Sequence, residues 1–169
     1  AMKTDRTWIT VRIDGKIAAV STDYRLLARI ASQGKIYGEI TATSSSFEDI
    51  WKLRQETQWD DLMLFGTDFQ KRVWRKLWEL THTADTEAHL ICYSDFAELC
   101  QNRAGVRAVA HAIGLNPVSV IIPCHLVIPK EGIDKINDIR RKAESTIFKG
   151  DDLCLGNIVA DTSIDFGEY

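Results

Sequence analysis

The sequence predicts an α/β (α+β) fold with a small N-terminal strand-containing domain, residues 1–60, and a mainly helical C-terminal domain, residues 61–169. Two β-prone runs near the N-terminus are joined by an Asp-Gly pair, which is a hairpin signal. An apolar stripe with helical spacing follows Gly66. Two short helical patterns joined by a tight break follow Tyr93, and their size indicates a winged helix-turn-helix-like unit.

The first elements form a strand pair and a helix. Strands are predicted over 8–13 and 16–20, because both runs are rich in β-branched and apolar residues. Apolar residues at helical spacing predict a helix over 24–33, and Gly34 should end it. Residues 41–46 are rich in Thr and Ser, and we predict a loop or linker there.

Two capped helices come next. Ser46 is a suitable N-cap for a helix over 47–53, with Asp49 in the position that Glu usually takes in a capping box. Thr67 can cap a longer helix after Gly66. Its apolar stripe is interpreted as core and consists of Phe69, Val73, Trp74, Leu77, Trp78 and Leu80.

The helix-turn-helix pattern follows a polar loop predicted over 81–89. Ser94 can cap its first helix, and residues 102–105 break that helix. The second helix is predicted over 106–113, with Gly114 as its C-terminal stop.

A reactive thiol is suggested by the next segment. Asn116-Pro117 turns the chain, and the apolar run 118–122 is predicted to be a strand or extended segment that leads to Cys124 and His125. A thiolate is a good nucleophile, and a neighbouring base can generate it. Adjacent residues of an extended chain point to opposite sides, so a direct bond between the two needs a turn or a water. From these two residues alone, a buried structural Cys and His are the better interpretation.

Charge and composition argue against several classes of protein and site. The net charge is −3 and the pI about 5.8, so bulk charge does not favour DNA, and any DNA contact must use a local surface. No apolar run is long enough for a membrane span, and no signal peptide is visible, so we expect a cytoplasmic, reducing location. The four cysteines, at 92, 100, 124 and 154, are too far apart for a metal knuckle.

Four motifs resemble the O6-alkylguanine-DNA alkyltransferase family. Residues 66–74 read GTDFQKRVW, which is similar to GTxFQxxVW, and residues 93–97 read YSDFA, which resembles YxxLA. Residues 106–109 read VRAV and resemble the RAV entry of the recognition helix. Residues 116–128 read NPVSVIIPCHLVI and are similar to NPxxxxIPCHRVI. The four motifs occur in the family's order, which makes the resemblance specific.

The resemblance implies a DNA-repair reaction that needs no metal and no cofactor. Cys124 would accept the alkyl group from O6-alkylguanine in double-stranded DNA, irreversibly and once per molecule. His125 would deprotonate the thiol through a water, and Tyr93 would donate a proton toward N3 of the departing guanine.

The resemblance also implies a DNA-binding surface for a monomer located in the cytoplasm and at the nucleoid. Arg107 would enter the minor groove and fill the space of the flipped nucleotide, because a stacked O6 is out of reach of a protein thiol. Asn116 would hold the turn before the reactive segment, and the backbone near Val127 would read the guanine amino group. The remaining DNA-contacting residues would be Ser94, Ala108 and Ala110.

Two departures from the family pattern leave alternatives open. Leu126 replaces the Arg of PCHRV. The family's closing segment aligns either at 167–169, after an insertion, or near Lys142, and neither register offers a convincing partner Glu, which predicts slow transfer at neutral pH. The alternatives are a protein that binds alkylated DNA without efficient transfer and a helix-turn-helix regulator. A Cys-His hydrolase fits less well, since no orienting Asn or Asp can be named.

Overall fold

The computed structural model describes residues 7–82 and 90–142. Within them the strands are β1 (Trp8–Ile13), β2 (Lys16–Ser21), β3 (Ile40–Ser45), β4 (Ile91–Cys92) and β5 (Val127–Ile128). The helices are α1 (Tyr24–Gly34), α2 (Phe47–Glu56), α3 (Asp68–His82), α4 (Tyr93–Leu99), α5 (Val106–Gly114) and α6 (Lys130–Lys142). Short 3₁₀ turns lie at Trp59–Asp61, Arg103–Gly105 and Cys124–Leu126. None of the described helices has the length and apolar character that a bilayer crossing requires.

The N-terminal sheet is antiparallel in the order β2-β1-β3. The predicted hairpin is confirmed: Asp14 and Gly15 both have positive φ, 48° and 83°, as the favoured two-residue turn requires. The predicted loop at 41–46 is wrong, because β3 occupies most of it and pairs with β1 along its length. β3 is an edge strand with mostly exposed side chains, so it lacks the apolar alternation that would reveal it in the sequence.

The capping box predicted at Ser46 and the cap predicted at Thr67 are both confirmed, and Thr67 also forms a capping box. In α2, the Ser46 hydroxyl accepts from the Asp49 N–H (3.2 Å), and the Asp49 carboxylate accepts from the Ser46 N–H (3.3 Å). In α3, the Thr67 hydroxyl accepts from the Gln70 N–H (3.1 Å), and the Gln70 side-chain oxygen accepts from the Thr67 N–H (2.9 Å). Each box satisfies two N–H groups that a helix start would otherwise leave without partners.

Thr67→Ala should lower the free energy of unfolding by about 1 kcal/mol, because the Gln70 N–H loses its acceptor. Thr67→Ser keeps the hydroxyl and is the matched control. Urea unfolding of the three proteins measures the difference. If the Ala and Ser variants unfold alike, the capping box does not stabilise α3.

The main hydrophobic core draws on both halves of the chain. Trp8, Val20 and Phe47 from the N-terminal half pack in one cluster with Trp74 and Phe96. A smaller cluster fills the space between the sheet and α1, where Ile13 and Ile30 are fully buried. The domain boundary expected near residue 60 stays a prediction.

The helix-turn-helix consists of α4, the 3₁₀ turn at Arg103–Gly105, and α5. The predicted cap at Ser94 is wrong: α4 already begins at Tyr93, its N-cap is Cys92, and Ser94 lies exposed in the first turn. α5 packs against α3, where the buried Trp74 indole N–H donates to the Ala112 carbonyl (2.8 Å). This buried bond fixes α5 in place on the longest helix of the described chain.

Candidate active site

Tyr93 and Cys124 flank a small parallel sheet formed by β4 and β5. β4 pairs with β5 in the register Ile91↔Val127 and Cys92↔Ile128. Tyr93 follows β4 directly, and the 3₁₀ turn that starts at Cys124 leads directly into β5. Both side chains are partly buried and pack against the main core cluster. That these two side chains face one site stays a prediction, because Tyr93 follows the end of β4 and Cys124 precedes the start of β5, which are opposite ends of a parallel pair.

Asn116 braces the loop that precedes Cys124. Its side chain is only 7% exposed. The amide N–H donates to the Ile122 carbonyl (2.8 Å), and the amide oxygen accepts from the Val118 N–H (3.0 Å). One buried side chain thus joins the two ends of the loop. A direct contact between Asn116 and DNA stays a prediction.

The loop turns twice where a strand or extended segment was predicted, and that prediction is wrong. The Ile121 N–H donates to the Ser119 carbonyl (2.8 Å) around Val120, whose φ is +71°. The Cys124 N–H donates to the Ile122 carbonyl (2.8 Å) around Pro123, with φ −81° and ψ 67°. These are three-residue γ-turns, the first of the rare classic type and the second of the common inverse type. A β-branched residue at positive φ is strained, so packing must hold Val120 in this conformation.

The N-terminal sheet supplies part of that support. The Val20 N–H donates to the Pro117 carbonyl (2.9 Å), and the Ser119 N–H donates to the Val20 carbonyl (3.0 Å). Val20, Val118 and Val120 are fully buried. Two sets of hydrogen bonds therefore hold the loop: main-chain bonds to Val20 at the end of β2, and the bonds of the Asn116 side chain inside the loop.

Cys124 and His125 lie in a turn rather than in an extended chain. Cys124 begins the 3₁₀ turn and is half-buried, while His125 is 2% exposed. The assumption that their side chains project to opposite sides of an extended strand does not apply, because the backbone is turned here. Leu126 is fully buried, which suits an apolar side chain at the position where the family pattern has Arg.

The first turn of α5 presents a small, positively charged surface. Arg107 and Ala108 are exposed, and Ala110 is half-buried on the same short helix. The N-cap Gly105 makes no side-chain cap, and the first turn carries no acidic residue. Such a helix start offers N–H groups and a partial positive charge to an anion. Val127 is buried beside Cys124, so its contact with a base would involve its backbone.

The thiol of Cys100, which lies outside the proposed reaction, is perturbed by burial. Burial raises its pKa above the usual range, and the nearby Lys76 opposes that rise. At neutral pH it is a protonated, weakly nucleophilic thiol. Among the described residues, no His, Cys, Asp and Glu side chains cluster as metal ligands. Cys154 and the 167–169 register lie outside the described residues, and Lys142 ends α6.

Sequence reasoning missed two residues that shape the site. Val20 acts through backbone groups, which leave no sequence signature. The turn at Val120 could not be recognised in the sequence, because a Val in an apolar run predicts extended backbone. The Asp14-Gly15 turn could be predicted, because both residue types tolerate positive φ in such a turn, whereas Val does not.

Comparisons with known proteins locate the similarity in the second half of the chain. Residues 68–145 match the family described as 6-O-methylguanine DNA methyltransferase, DNA binding domain. A probable methylated-DNA–protein-cysteine methyltransferase of Acanthamoeba polyphaga mimivirus is 44% identical over 70 residues, which are 41% of this chain and 44% of that protein. The inducible enzyme of that name from Bacillus subtilis is 46% identical over 67 residues, 40% of this chain and 35% of that protein.

A solved structure extends the likeness to the fold of nearly the whole chain. The crystal structure of the Mycobacterium tuberculosis O6-methylguanine methyltransferase has a TM-score of 0.54 at 21% identity, over 89% of this chain and 83% of that chain. This neighbour confirms the predicted α/β fold. The chain spans less than half the length of each of these two curated relatives.

Proposed function

We propose that the chain repairs DNA by one irreversible transfer of an alkyl group from O6-alkylguanine to Cys124, because residues 68–145 match the family described as 6-O-methylguanine DNA methyltransferase, DNA binding domain. The observation that carries the proposal is the placement of Cys124: a half-buried thiol at the end of a doubly braced loop, next to the buried His125. A fixed nucleophile lowers the entropic cost of reaching an attack geometry.

The proposed reaction is a displacement at carbon. The Cys124 thiolate attacks the carbon bound to O6, so that a sulfur–carbon bond forms while the carbon–O6 bond breaks. The electron pair of the broken bond stays on the guanine, which takes up a proton at N3 from Tyr93. His125 accepts the thiol proton through a water. The Tyr93 phenolate then regains a proton from protonated His125 through solvent, so the net proton transfer is from thiol to guanine. The thioether is stable, so each molecule reacts once.

The DNA would approach along α5. Its uncapped N-terminus and the exposed Arg107 suit a negatively charged backbone, and Ala108 leaves room for close approach. In the proposal, Arg107 fills the stack after the damaged base turns out through the minor groove toward Cys124. The monomeric state and the cytoplasmic location stay predictions.

Incubation with a duplex that contains O6-methylguanine tests the function directly. We expect the intact mass of the protein to rise by one methyl group, and peptide mapping to place that methyl on Cys124. A duplex with unmodified guanine is the control and should leave the mass unchanged. Tight binding without a mass change would instead establish a protein that recognises alkylated DNA, and neither binding nor transfer would contradict both functions.

Arg107→Ala should slow transfer from duplex DNA by roughly 10- to 100-fold, because unstacking a base costs a few kcal/mol that the inserted side chain offsets. Transfer from the free base O6-benzylguanine should change little, since no base must leave a stack. Single-turnover rates on both substrates measure the ratio. Arg103→Ala, which removes the same charge from the preceding 3₁₀ turn, is the matched control. Equal losses on both substrates would contradict the insertion role of Arg107.

A further inference from the structure

The exposed face of α3 carries four cations that the proposed reaction does not use. Lys71, Arg72, Arg75 and Lys76 follow the helical repeat that places them on one side of the helix. The opposite side is buried in the core and consists of Val73, Trp74, Leu77 and Trp78. The sequence stripe that we interpreted as core therefore fixes the direction in which the four positive charges point.

These cations line a cavity of about 940 Å³. Its other walls are Trp59 and the chain at the end of α4, where Leu99 is 48% exposed. Asp68 brings one negative charge, so the described lining is strongly positive in a chain whose net charge is −3. Long charged side chains around an open cavity favour an anionic ligand over an apolar one.

Two of the four cations are already engaged. The Arg75 Nε lies 3.2 Å from one carboxylate oxygen of Glu79, and the Lys76 Nζ lies 3.5 Å from the other. The Arg75 guanidinium also lies over the Trp59 ring, 4.9 Å from its centroid. These contacts hold Arg75 and Lys76 against the protein surface.

Lys71 and Arg72 are available to a ligand. Both side chains are exposed, and neither forms an ion pair with a described residue. The Arg72 guanidinium lies 5.9 Å from the centroid of the Phe69 ring, which leaves its N–H edge open to solvent. One ammonium and one guanidinium on consecutive residues are suited to two neighbouring phosphates.

The cavity lies next to the turn that leads into α5, and this position indicates which anion it binds. Its wall includes Gln101 and Asn102, which begin the turn between α4 and α5. That turn leads through Arg103–Gly105 to Val106, the first residue of the helix proposed to enter DNA. A strand of DNA that is held at the start of α5 continues past this wall as a chain of phosphates.

We propose that Lys71 and Arg72 bind the phosphates of the DNA strand that flanks the damaged guanine. The inference rests on the proposed function and adds a second contact surface outside the helix-turn-helix. It also explains how an acidic chain binds a polyanion: the positive charge is concentrated next to the helix that enters the groove. A small phosphate compound has the same chemistry, and the experiment separates the two sources.

The test is the salt dependence of duplex binding by the full chain, measured by fluorescence anisotropy between 50 and 200 mM NaCl, conditions under which phosphate contacts dominate. In the Lys71→Gln/Arg72→Gln double variant, the slope of log K against log salt should be less steep by about 1.8, for two lost phosphate contacts. Affinity at 100 mM NaCl should fall by roughly tens of fold. Thermal unfolding should show an unchanged fold, because both side chains are exposed.

Lys16→Gln/Lys35→Gln is the matched control, since it removes the same charge from exposed positions of the N-terminal half. Its slope should stay within experimental error of the unaltered protein. Equal slopes for all three proteins, or equal losses in both double variants, would overturn the proposal while leaving alkyl transfer intact. Competition by inorganic pyrophosphate at micromolar concentration would also overturn it, in favour of a small-ligand site. If the unaltered protein binds no duplex, both this inference and the proposed function fail.

Discussion

Cys124→Ser should abolish alkyl transfer from O6-alkylguanine in DNA to the protein while leaving DNA binding nearly unchanged. In the proposed reaction the nucleophile is the thiolate, whereas a serine hydroxyl stays protonated and weakly nucleophilic at neutral pH without dedicated activation. Serine is close to cysteine in size, so the half-buried turn at Cys124 should keep its conformation. The measurement is the intact mass after incubation with an O6-methylguanine duplex, with binding followed in parallel by anisotropy.

The other described cysteines supply the controls. Burial raises the pKa of the Cys100 thiol, so Cys100 is protonated at pH 7 and should not replace Cys124 as acceptor. Cys100→Ser and Cys92→Ser should therefore transfer at the rate of the unaltered protein. Methylation of the Cys124→Ser protein at any other cysteine would show that the acceptor has been misassigned.

Asn116→Ala should lower the free energy of unfolding by about 2–4 kcal/mol. The change leaves the buried Val118 N–H without its acceptor, which costs about 1–3 kcal/mol, and it removes one of the two hydrogen bonds to the Ile122 carbonyl, which is worth about 1 kcal/mol. This is a large share of the roughly 5–15 kcal/mol that stabilises a typical domain. Urea unfolding measures the loss. We also expect slower transfer, because the loop that positions Cys124 loses its internal brace.

Asn102→Ala separates this effect from the removal of any turn asparagine. Asn102 is half-buried in the turn before α5, and its side chain has no hydrogen bond to a described residue, so the change should stay within about 0.5 kcal/mol. If both variants unfold alike, the Asn116 bonds do not hold the loop. If Asn116→Ala is destabilised but transfers at the normal rate, the brace serves the fold alone.

Local signals explain which elements could be predicted from the sequence. The Asp14-Gly15 hairpin and the Ser46 and Thr67 caps depend on residues within a few positions of one another, and the structure contains all three. β3 was missed because it depends on pairing with β1, more than twenty residues away, and its exposed Thr and Ser side chains resemble a loop. Long-range pairing of a polar edge strand leaves too weak a local pattern.

The candidate site likewise has features that the sequence could predict and features that it could not. The order of the four motifs located Cys124, His125, Tyr93 and Arg107 along the chain. The γ-turns at Val120 and Pro123 could not be predicted, since apolar residues there favour extended backbone and the turn is imposed by distant packing. The pairing of β4, which precedes Tyr93, with β5, which follows the Cys124 turn, is likewise a contact between distant segments.

The clamp on the reactive loop by Val20 has an evolutionary consequence. Its two hydrogen bonds join main-chain atoms, and main-chain atoms are the same whichever side chain stands at a position. Mutations can therefore accumulate across the N-terminal half without loosening the loop, provided that β2 still ends at the same point beside Pro117. The mimivirus and B. subtilis relatives match this chain in sequence over 70 and 67 residues. The M. tuberculosis structure matches it in fold over 89% of the chain at 21% identity. Natural selection would then conserve the backbone conformation of the N-terminal half and the amino-acid sequence of the second half. N-terminal halves exchanged between distant relatives should still support the loop.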